Sequence, residues 1–580
     1  MAHVQRSEGI ETDLLVIGAG AAGMTAALVG AQEGLSVILC EKTDMVGGTT
    51  ATSAGTVWIP GNRQGQHAGT PDTLQAARLY LSAMLGEHVS DTRVEMFLKA
   101  GPIVLDYLEQ KTSVWFAAPP VHPDYRDLPG AAIGGRALGA VAFDGRKLGQ
   151  DFCRVRPPRR EFMVLGGMMV GKADIPALLA PFRSWANFRH VAGMLLRQAL
   201  DRIRHPRGTR LIMGNALVAR LLDSIRHSGA DLRFQTTLRE LMCEGGNVTG
   251  AILTSPGGEV IIRARKGVVL ATGGIGWSRE LRERLFPEAG RQWSLTPPST
   301  EGDGILVAER IGAVIERDLE SPALWMPSSV MTQADGHVSV FPHIMLDRAK
   351  PGLLAVNKAG RRFVNEADSY HDFVAAMLRS NAPTTPAFLI CDRGFIRDFG
   401  IGLVHPGTKD LTPFVKGGYL FEGQTIEQLA QELDVDHCEL RRTVDRYNAS
   451  AETGIDEEFG RGASELNRVN GDPRSKPNPC LRRIGPGPYY SVAVWPSDLA
   501  SSAGLTTDSL ARVQSGDGKR VSGLYAVGTD ASSIFRGTYP GPGTMIGPAI
   551  VFGWCAAMDA AGTMEKYLDD REHQAPIVAG

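Results

Sequence analysis

Residues 13–41, DLLVIGAGAAGMTAALVGAQEGLSVILCE, constrain this chain more than any other stretch. Leu14 to Ile17 is an aliphatic run that predicts a buried parallel strand. Gly18, Gly20 and Gly23 follow in Gly-x-Gly-x-x-Gly spacing, and Met24 to Glu33 predicts a helix. Leu35 to Cys40 predicts a second strand, closed by the acid Glu41. In such a βαβ unit the first glycine permits a tight turn, the second admits a pyrophosphate close to the backbone, and the third packs helix on strand. The helix start, with Ala22 in its first turn, offers free N–H groups and a positive dipole end to phosphates. Glu41 stands about twenty residues past the turn, the distance expected for a ribose hydroxyl contact. A glycine-rich turn alone is weak evidence; here strands, helix and acid agree.

With 580 residues the chain has room for two or more domains at about 150 residues each. It is 43% hydrophobic and 21% charged, with a formal net charge of −2, which gives no overall attraction to nucleic acid. No run of eighteen apolar residues occurs, so no spanning helix is expected. The start, MAHVQRSEGIETD, has no apolar core of a secretory signal. Seven cysteines are scattered without a CxxC pair, which argues against a metal site or disulfide framework and fits the cytoplasm.

Beyond Glu41, Lys42 leads into Gly47-Gly48-Thr49-Thr50-Ala51-Thr52-Ser53-Ala54-Gly55. Small and hydroxyl side chains let a flat ring approach, so Lys42, Gly48, Thr49, Thr50, Ser53, Ala54 and Gly55 are read as flavin contacts. The loop has no histidine, so a histidyl–flavin bond has no donor and the flavin is expected to be non-covalent. Residues 71–111 predict helical scaffold. A Pro-Asp-Tyr125 loop follows. Residues 181–210 are strongly basic, with apolar residues at near-helical spacing inside a helical insertion near 175–210. Such a helix can lie on an anionic membrane surface; the other reading is a solvated helix packed on its own protein. Ala216 to Arg226 predicts an amphipathic helix, Asp231 to Gln235 a strand, and residues 250–264 a hairpin. Lys266 to Ala271 predicts a further buried strand, ending in Thr272-Gly273-Gly274. From about 286 the pattern is irregular. From about 500 the α/β pattern returns: a strand ending Gly528-Thr529-Asp530, then Gly537-Thr-Tyr539-Pro-Gly-Pro-Gly543-Thr-Met545-Ile546 feeding a helix over 549–561. A second glycine loop at a helix start is again cofactor geometry. Trp325, Met326 and Phe116 are candidates for an apolar pocket, with core packing as the alternative.

These motifs resemble the flavoproteins of the fumarate reductase/succinate dehydrogenase superfamily, and within it the 3-ketosteroid Δ1-dehydrogenases. GGTTATSAG, PDY, ATGG, GDG, RRFVNEADSY, GLYAVGTD and GTYPGPGTMIGP occur in the family's order over roughly residues 10–280 and 295–565. The resemblance implies an α/β fold with a discontinuous Rossmann-like FAD-binding domain, 1–285 and 501–580, and an inserted α+β substrate or capping domain, 286–500. Ala271, Thr272, Gly273, Gly528, Asp530, Gly543, Met545 and Ile546 join the turn and loop residues as implied FAD contacts. Where fumarate reductases carry a proton-donating Arg, this chain has Tyr370, as the steroid enzymes do.

The implied reaction is 1,2-desaturation of a cyclic ketone. Tyr370 takes the α-proton, helped by Tyr125. Tyr539 and the Gly543 N–H hold the carbonyl, an arrangement worth about 3–4 kcal/mol per donor. The flavin takes the hydride. Substrates implied are a 3-ketosteroid or, alternatively, a 3-oxo-5α-steroid (Δ4) or a cyclohexanone-type ring. Reduction of a dicarboxylate and a non-catalytic flavin carrier are the remaining alternatives. Only one dinucleotide fingerprint is evident, so re-oxidation is expected from an external acceptor such as a quinone. A location in the cytoplasm, against the inner face of the membrane if residues 181–210 touch it, follows from the same reading.

Overall fold

A strand segment with no polar side chain, such as Leu14 to Ile17, must be covered on both faces, and the first sheet is built around that requirement. The computed structural model describes residues 9–171, 174–287, 292–333 and 335–568. The first eight residues, read above for a signal, and the end of the 501–580 segment from 569 on lie outside them. Strand Ile10–Ile17 lies parallel between Val37–Cys40 and Gly258–Leu270. Asp231–Arg233 extends one edge and Arg520–Ala526 the other, both parallel. Leu14, Leu15 and Val16 are wholly buried. Helix Ala21–Gln32 starts three residues before the expected Met24, because Gly20 already serves as its N-cap. It packs against Met213–Ile225 and Ile546–Ala561, which is why its apolar residues run all round.

The predicted hairpin arm and the predicted strand after it are one thirteen-residue strand, Gly258–Leu270. Its first half pairs antiparallel with Asn247–Ser255; its second half enters the parallel sheet. A register shift between Thr12 and Leu14 in the facing strand absorbs the change. The helix expected to be amphipathic over 216–226 is almost wholly buried, with Met213, Arg220 and Asp223 partly exposed.

Residues 293–501 form a second, mainly antiparallel sheet. Its spine is Tyr489–Ser501, flanked by Ala323–Thr332 and Ala387–Asp392. Val338–Pro342 and Leu353–Val356 lie outside these. The RRFVNE motif anchors this half. Arg362 reaches Glu366 at 2.8 Å and Asp456 at 2.8 Å, and Arg461 reaches Glu366 at 3.0 Å. Glu366 also accepts from the Ala355 N–H at 3.0 Å, and Asn365 donates to Asn467 at 2.9 Å. Each charge of this network is answered by an opposite one, which offsets the cost of burying it, and Asn365 and Glu366 are placed within it as structural residues.

Removing one partner leaves the others buried without an answering charge. Arg362→Met is therefore expected to cost about 3–5 kcal/mol, read as a lower urea midpoint followed by tryptophan fluorescence. Arg361→Met, next to it at an exposed pair, is expected to change stability by less than about 1 kcal/mol.

Candidate active site

The predicted nucleotide residues line the carboxyl edge of the parallel strands. Gly18 has φ +104°, and a Cβ there would lie 2.2 Å from the Ala271 carbonyl; a Cβ at Gly23 would lie 1.9 Å from the Gly18 carbonyl. A Cβ at Gly20 would meet nothing within 4 Å, so the space in front of the helix start is open. Among the described residues the Ala22 and Gly23 amides have no acceptor in the chain. A pyrophosphate fits there by shape and by charge. Glu41 is buried beside the turn, accepting from the Ala19 N–H at 3.0 Å and the Thr43 N–H at 2.9 Å.

Lys42 is engaged by acids: it pairs with Asp303 at 2.8 Å and with Glu301, and donates to the Ser299 carbonyl. This ties the Glu-Gly-Asp-Gly segment to the end of the second strand. Gly48, Thr49 and Thr50 lie in the short helix Gly48–Ala51, followed by Ser53, Ala54 and Gly55; the Thr50 hydroxyl accepts from the Ala21 N–H at 3.3 Å. Asp530 is fully buried and its carboxylate accepts from the Thr272 N–H at 2.6 Å and the Gly274 N–H at 2.9 Å. Thr272 and Asp530 thus hold each other, with Ala271, Gly273 and Gly528 beside them. Met545 and Ile546 stand at the start of helix Ile546–Ala561.

The second cluster is three tyrosines from three distant segments. The Tyr125 hydroxyl donates to Tyr370 at 2.8 Å, and Tyr370 donates to Tyr539 at 3.0 Å. Their rings meet edge to face at 5.2–5.5 Å. Burial pushes all three phenols well above their ordinary pKa, so the trio rests neutral and titrates as one coupled group.

Each tyrosine is held locally. Tyr370 is the first residue of helix Tyr370–Arg379, capped by Ser369, whose hydroxyl accepts from the Asp372 N–H at 3.1 Å. The Tyr125 N–H donates to the Pro540 carbonyl at 2.9 Å, and the Tyr80 hydroxyl donates to the same oxygen at 2.7 Å. Asp124 accepts from Trp58 at 2.8 Å and Arg136 at 2.6 Å, which fixes the Tyr125 loop. Arg126 pairs with Asp372 at 2.6 Å, joining that loop to the Tyr370 helix. Gly543 has φ +98°, and a Cβ there would lie 2.6 Å from the Thr56 carbonyl; its own carbonyl accepts from the Trp58 N–H at 3.1 Å. Among the described residues the Gly543 N–H has no acceptor in the chain.

Sequence reasoning missed the Arg126–Asp372 staple and His371. The His371 Nδ1 accepts from the Trp325 N–H at 3.2 Å, its ring stands edge-on to Tyr539 at 6.0 Å, and burial pulls its pKa down to about 4. It is therefore neutral at physiological pH; its place directly after Tyr370 was the available signal. Leu324 and Met326 join the tyrosines in one apolar cluster with Leu295, Val340 and Met345. Trp325 faces the other way, onto Phe286, and Phe116 belongs to the core of the nucleotide half. These two are core residues of other clusters.

A family model described as FAD binding domain matches residues 13–546. The chain is 39% identical over 566 residues to a 4-oxocyclohex-2-ene-1-carboxylate 5-dehydrogenase of Sinomonas cyclohexanicum, covering 96% of this chain and 95% of the relative. It is 33% identical over 570 residues to a 3-oxosteroid 1-dehydrogenase of Mycolicibacterium smegmatis, covering 96% and 98%. The crystal structure of a 3-ketosteroid Δ1-dehydrogenase from Sterolibacterium denitrificans, in complex with 1,4-androstadiene-3,17-dione, superposes with TM-score 0.88 at 34% identity, covering 95% of this chain and 100% of that one. These matches settle the family: the chain belongs to the FAD-dependent dehydrogenases of the 3-oxosteroid 1-dehydrogenase type, α/β flavoproteins that act on CH–CH groups.

Proposed function

We propose that the protein desaturates a cyclic ketone between the carbons α and β to its carbonyl, with Tyr370 as base. The observation that carries this is the hydroxyl chain Tyr125–Tyr370–Tyr539 next to a loop whose Gly543 N–H is free. Tyr539 and the Gly543 N–H hold the carbonyl oxygen and stabilise the enolate charge that develops on it. Tyr370 takes the α-proton, and Tyr125, which donates to the Tyr370 oxygen, stabilises the resulting phenolate. FAD, which the Gly18–Gly23 turn and the glycine loop before helix Ile546–Ala561 would hold, would supply the hydride-accepting chemistry. Burial excludes water, so each of these hydrogen bonds acts in a low dielectric.

The ring is the A ring of a 3-ketosteroid. The alternative is a single ring, because the carboxylate-bearing cyclohexene substrate in the name of the 39% relative presents the same ketone and neighbouring CH groups. We read the chain as a discontinuous FAD-binding domain, 1–285 and 501–580, with 286–500 inserted; the composition of the two sheets supports it. Electrons leave to an external acceptor, with a quinone as the candidate. Anaerobic addition of androst-4-ene-3,17-dione is expected to bleach the flavin, while 4-oxocyclohexanecarboxylate bleaches it slowly or not at all; the reverse order moves the assignment to the small ring. Tyr370→Phe is expected to slow bleaching about 10²–10⁴-fold, and a variant with full turnover removes the proposed base.

Helix Trp185–Arg204 supports the membrane-surface reading. Only Met194, Gln198 and Asp201 are buried. Leu196, Leu200 and Ile203, about 200° round the helix from them, are 63%, 58% and 75% exposed. Trp185 is 74% and Phe182 85% exposed, and both rings stack with Phe188. Arg189, Arg202 and Arg204 lie among them. An apolar stripe with arginines matches an anionic bilayer surface. Among the described residues no helix is long and apolar enough to cross a membrane. Sedimentation is expected to show the protein with vesicles containing anionic phospholipid and not with neutral ones. Leu196→Ser/Leu200→Ser/Ile203→Ser is expected to lose binding and keep flavin bleaching by a dissolved ketone; binding unchanged in that variant overturns the reading.

A further inference from the structure

Arg348 is the last residue of helix Met345–Arg348 and is fully buried. Its guanidinium donates only to backbone carbonyls: Nε to His343 at 2.9 Å, Nη1 to Glu366 at 2.6 Å, and both Nη atoms to Asp368 at 3.3–3.4 Å. Among the described residues it forms no ion pair. The nearby acids are committed elsewhere. Asp347 binds the His343 ring at 2.6 Å, and Glu366 is answered by Arg362 and Arg461. Asp368 accepts from Asn467 at 3.0 Å, and burial raises its pKa to about 6. Burial also pulls Arg348 down to about 10, which still leaves it charged at neutral pH.

Two of the carbonyls it holds, those of Glu366 and Asp368, lie just before Ser369 and Tyr370. The cation therefore sits at the positive end of helix Tyr370–Arg379, where helix dipole and guanidinium both favour a negative charge. We infer that Arg348 is a positioning residue that supplies a buried positive charge without a direct ion-pair partner behind the tyrosine cluster and holds the helix start that carries Tyr370. The inference rests on Tyr370 being the base.

The other groups around Tyr370 do not supply that charge. Tyr125 and Tyr539 are neutral phenols from two loops. His371 on the same helix is neutral. Asp372 is matched by Arg126, and Asp368 contributes no positive charge. The field of Arg348 favours the phenolate at both Tyr125 and Tyr370, against the upward push of burial. A base must be ionised to act, so the rate rises with pH through the apparent pKa of the coupled phenols. Removing a positive charge raises that pKa, which slows the reaction at neutral pH and leaves the alkaline rate intact.

The test is single-turnover flavin bleaching by androst-4-ene-3,17-dione with the holoenzyme, from about pH 6 upward until the wild-type and variant rates both level off. Arg348→Met is expected to move the rising limb up by about one pH unit, about tenfold slower at neutral pH, and to converge with wild type at high pH. Arg348→Lys, which keeps the charge, is expected to hold the limb in place. Asp347→Asn removes the negative charge adjacent to Arg348 and is expected to move the limb the other way, to lower pH. Equal slowing at every pH in Arg348→Met, with the limb unmoved, assigns the residue to structure alone and overturns the inference. Should Arg348→Met purify without flavin, Asp347→Asn decides: a limb that fails to shift downward overturns it. A Tyr370→Phe variant that bleaches like wild type removes the underlying reading instead, so the two failures are distinguishable.

Discussion

The carboxylate of Asp530 is the pin on which the nucleotide half closes. The chain leaves the first sheet after Leu270 and returns in Arg520–Ala526, having built a whole second sheet in between. Two parallel strands that meet after such an excursion need a specific lock. Asp530, at the end of the returning strand, accepts from the amides of Thr272 and Gly274 at the end of the outgoing one. A buried carboxylate is tolerable only with donors of this kind. The lock sets the level of the Gly528 and Gly273 turns, and through the glycine loop after them the level of Tyr539 and helix Ile546–Ala561.

The tyrosine cluster is assembled in the same manner, from segments that have no reason to meet until the fold brings them together. Tyr125 comes from a loop of the nucleotide half, Tyr370 from the start of a helix in the second half, and Tyr539 from the returning glycine loop. Their hydroxyls touch because backbone and ionic ties bring the three supports together: Arg126 to Asp372, and Tyr125 to Pro540. Buried phenols without a cation nearby are poor bases. The arginine-rich second half answers this, since its acids are consumed by Arg362 and Arg461 and by His343, leaving Arg348 with carbonyls alone.

Much of this was legible in the residues. Gly18 and Gly23 announce their turn because only a missing Cβ satisfies it there, and Tyr539 and Gly543 sit in a loop rich in backbone constraints. Tyr125, Tyr370 and Tyr539 were readable as a set through family resemblance; their contact is a tertiary fact that no local pattern encodes. Trp325 and Met326 show the limit. Adjacent strand residues face opposite sides, so Leu324 and Met326 reach the tyrosine cluster while Trp325 between them faces Phe286. Arg348 was invisible for a similar reason: its significance lies in the lack of an acid beside it, and that depends on where Glu366, Asp347 and Asp368 spend their oxygens.

The Pro540 carbonyl accepts from both the Tyr125 amide and the Tyr80 hydroxyl. One oxygen thereby couples the loop that carries Tyr539 to the loop that carries Tyr125. Displacing the Pro-Gly-Pro-Gly segment would strain both bonds at once, so the loops that carry Tyr539 and Tyr125 keep their relative places through one shared anchor.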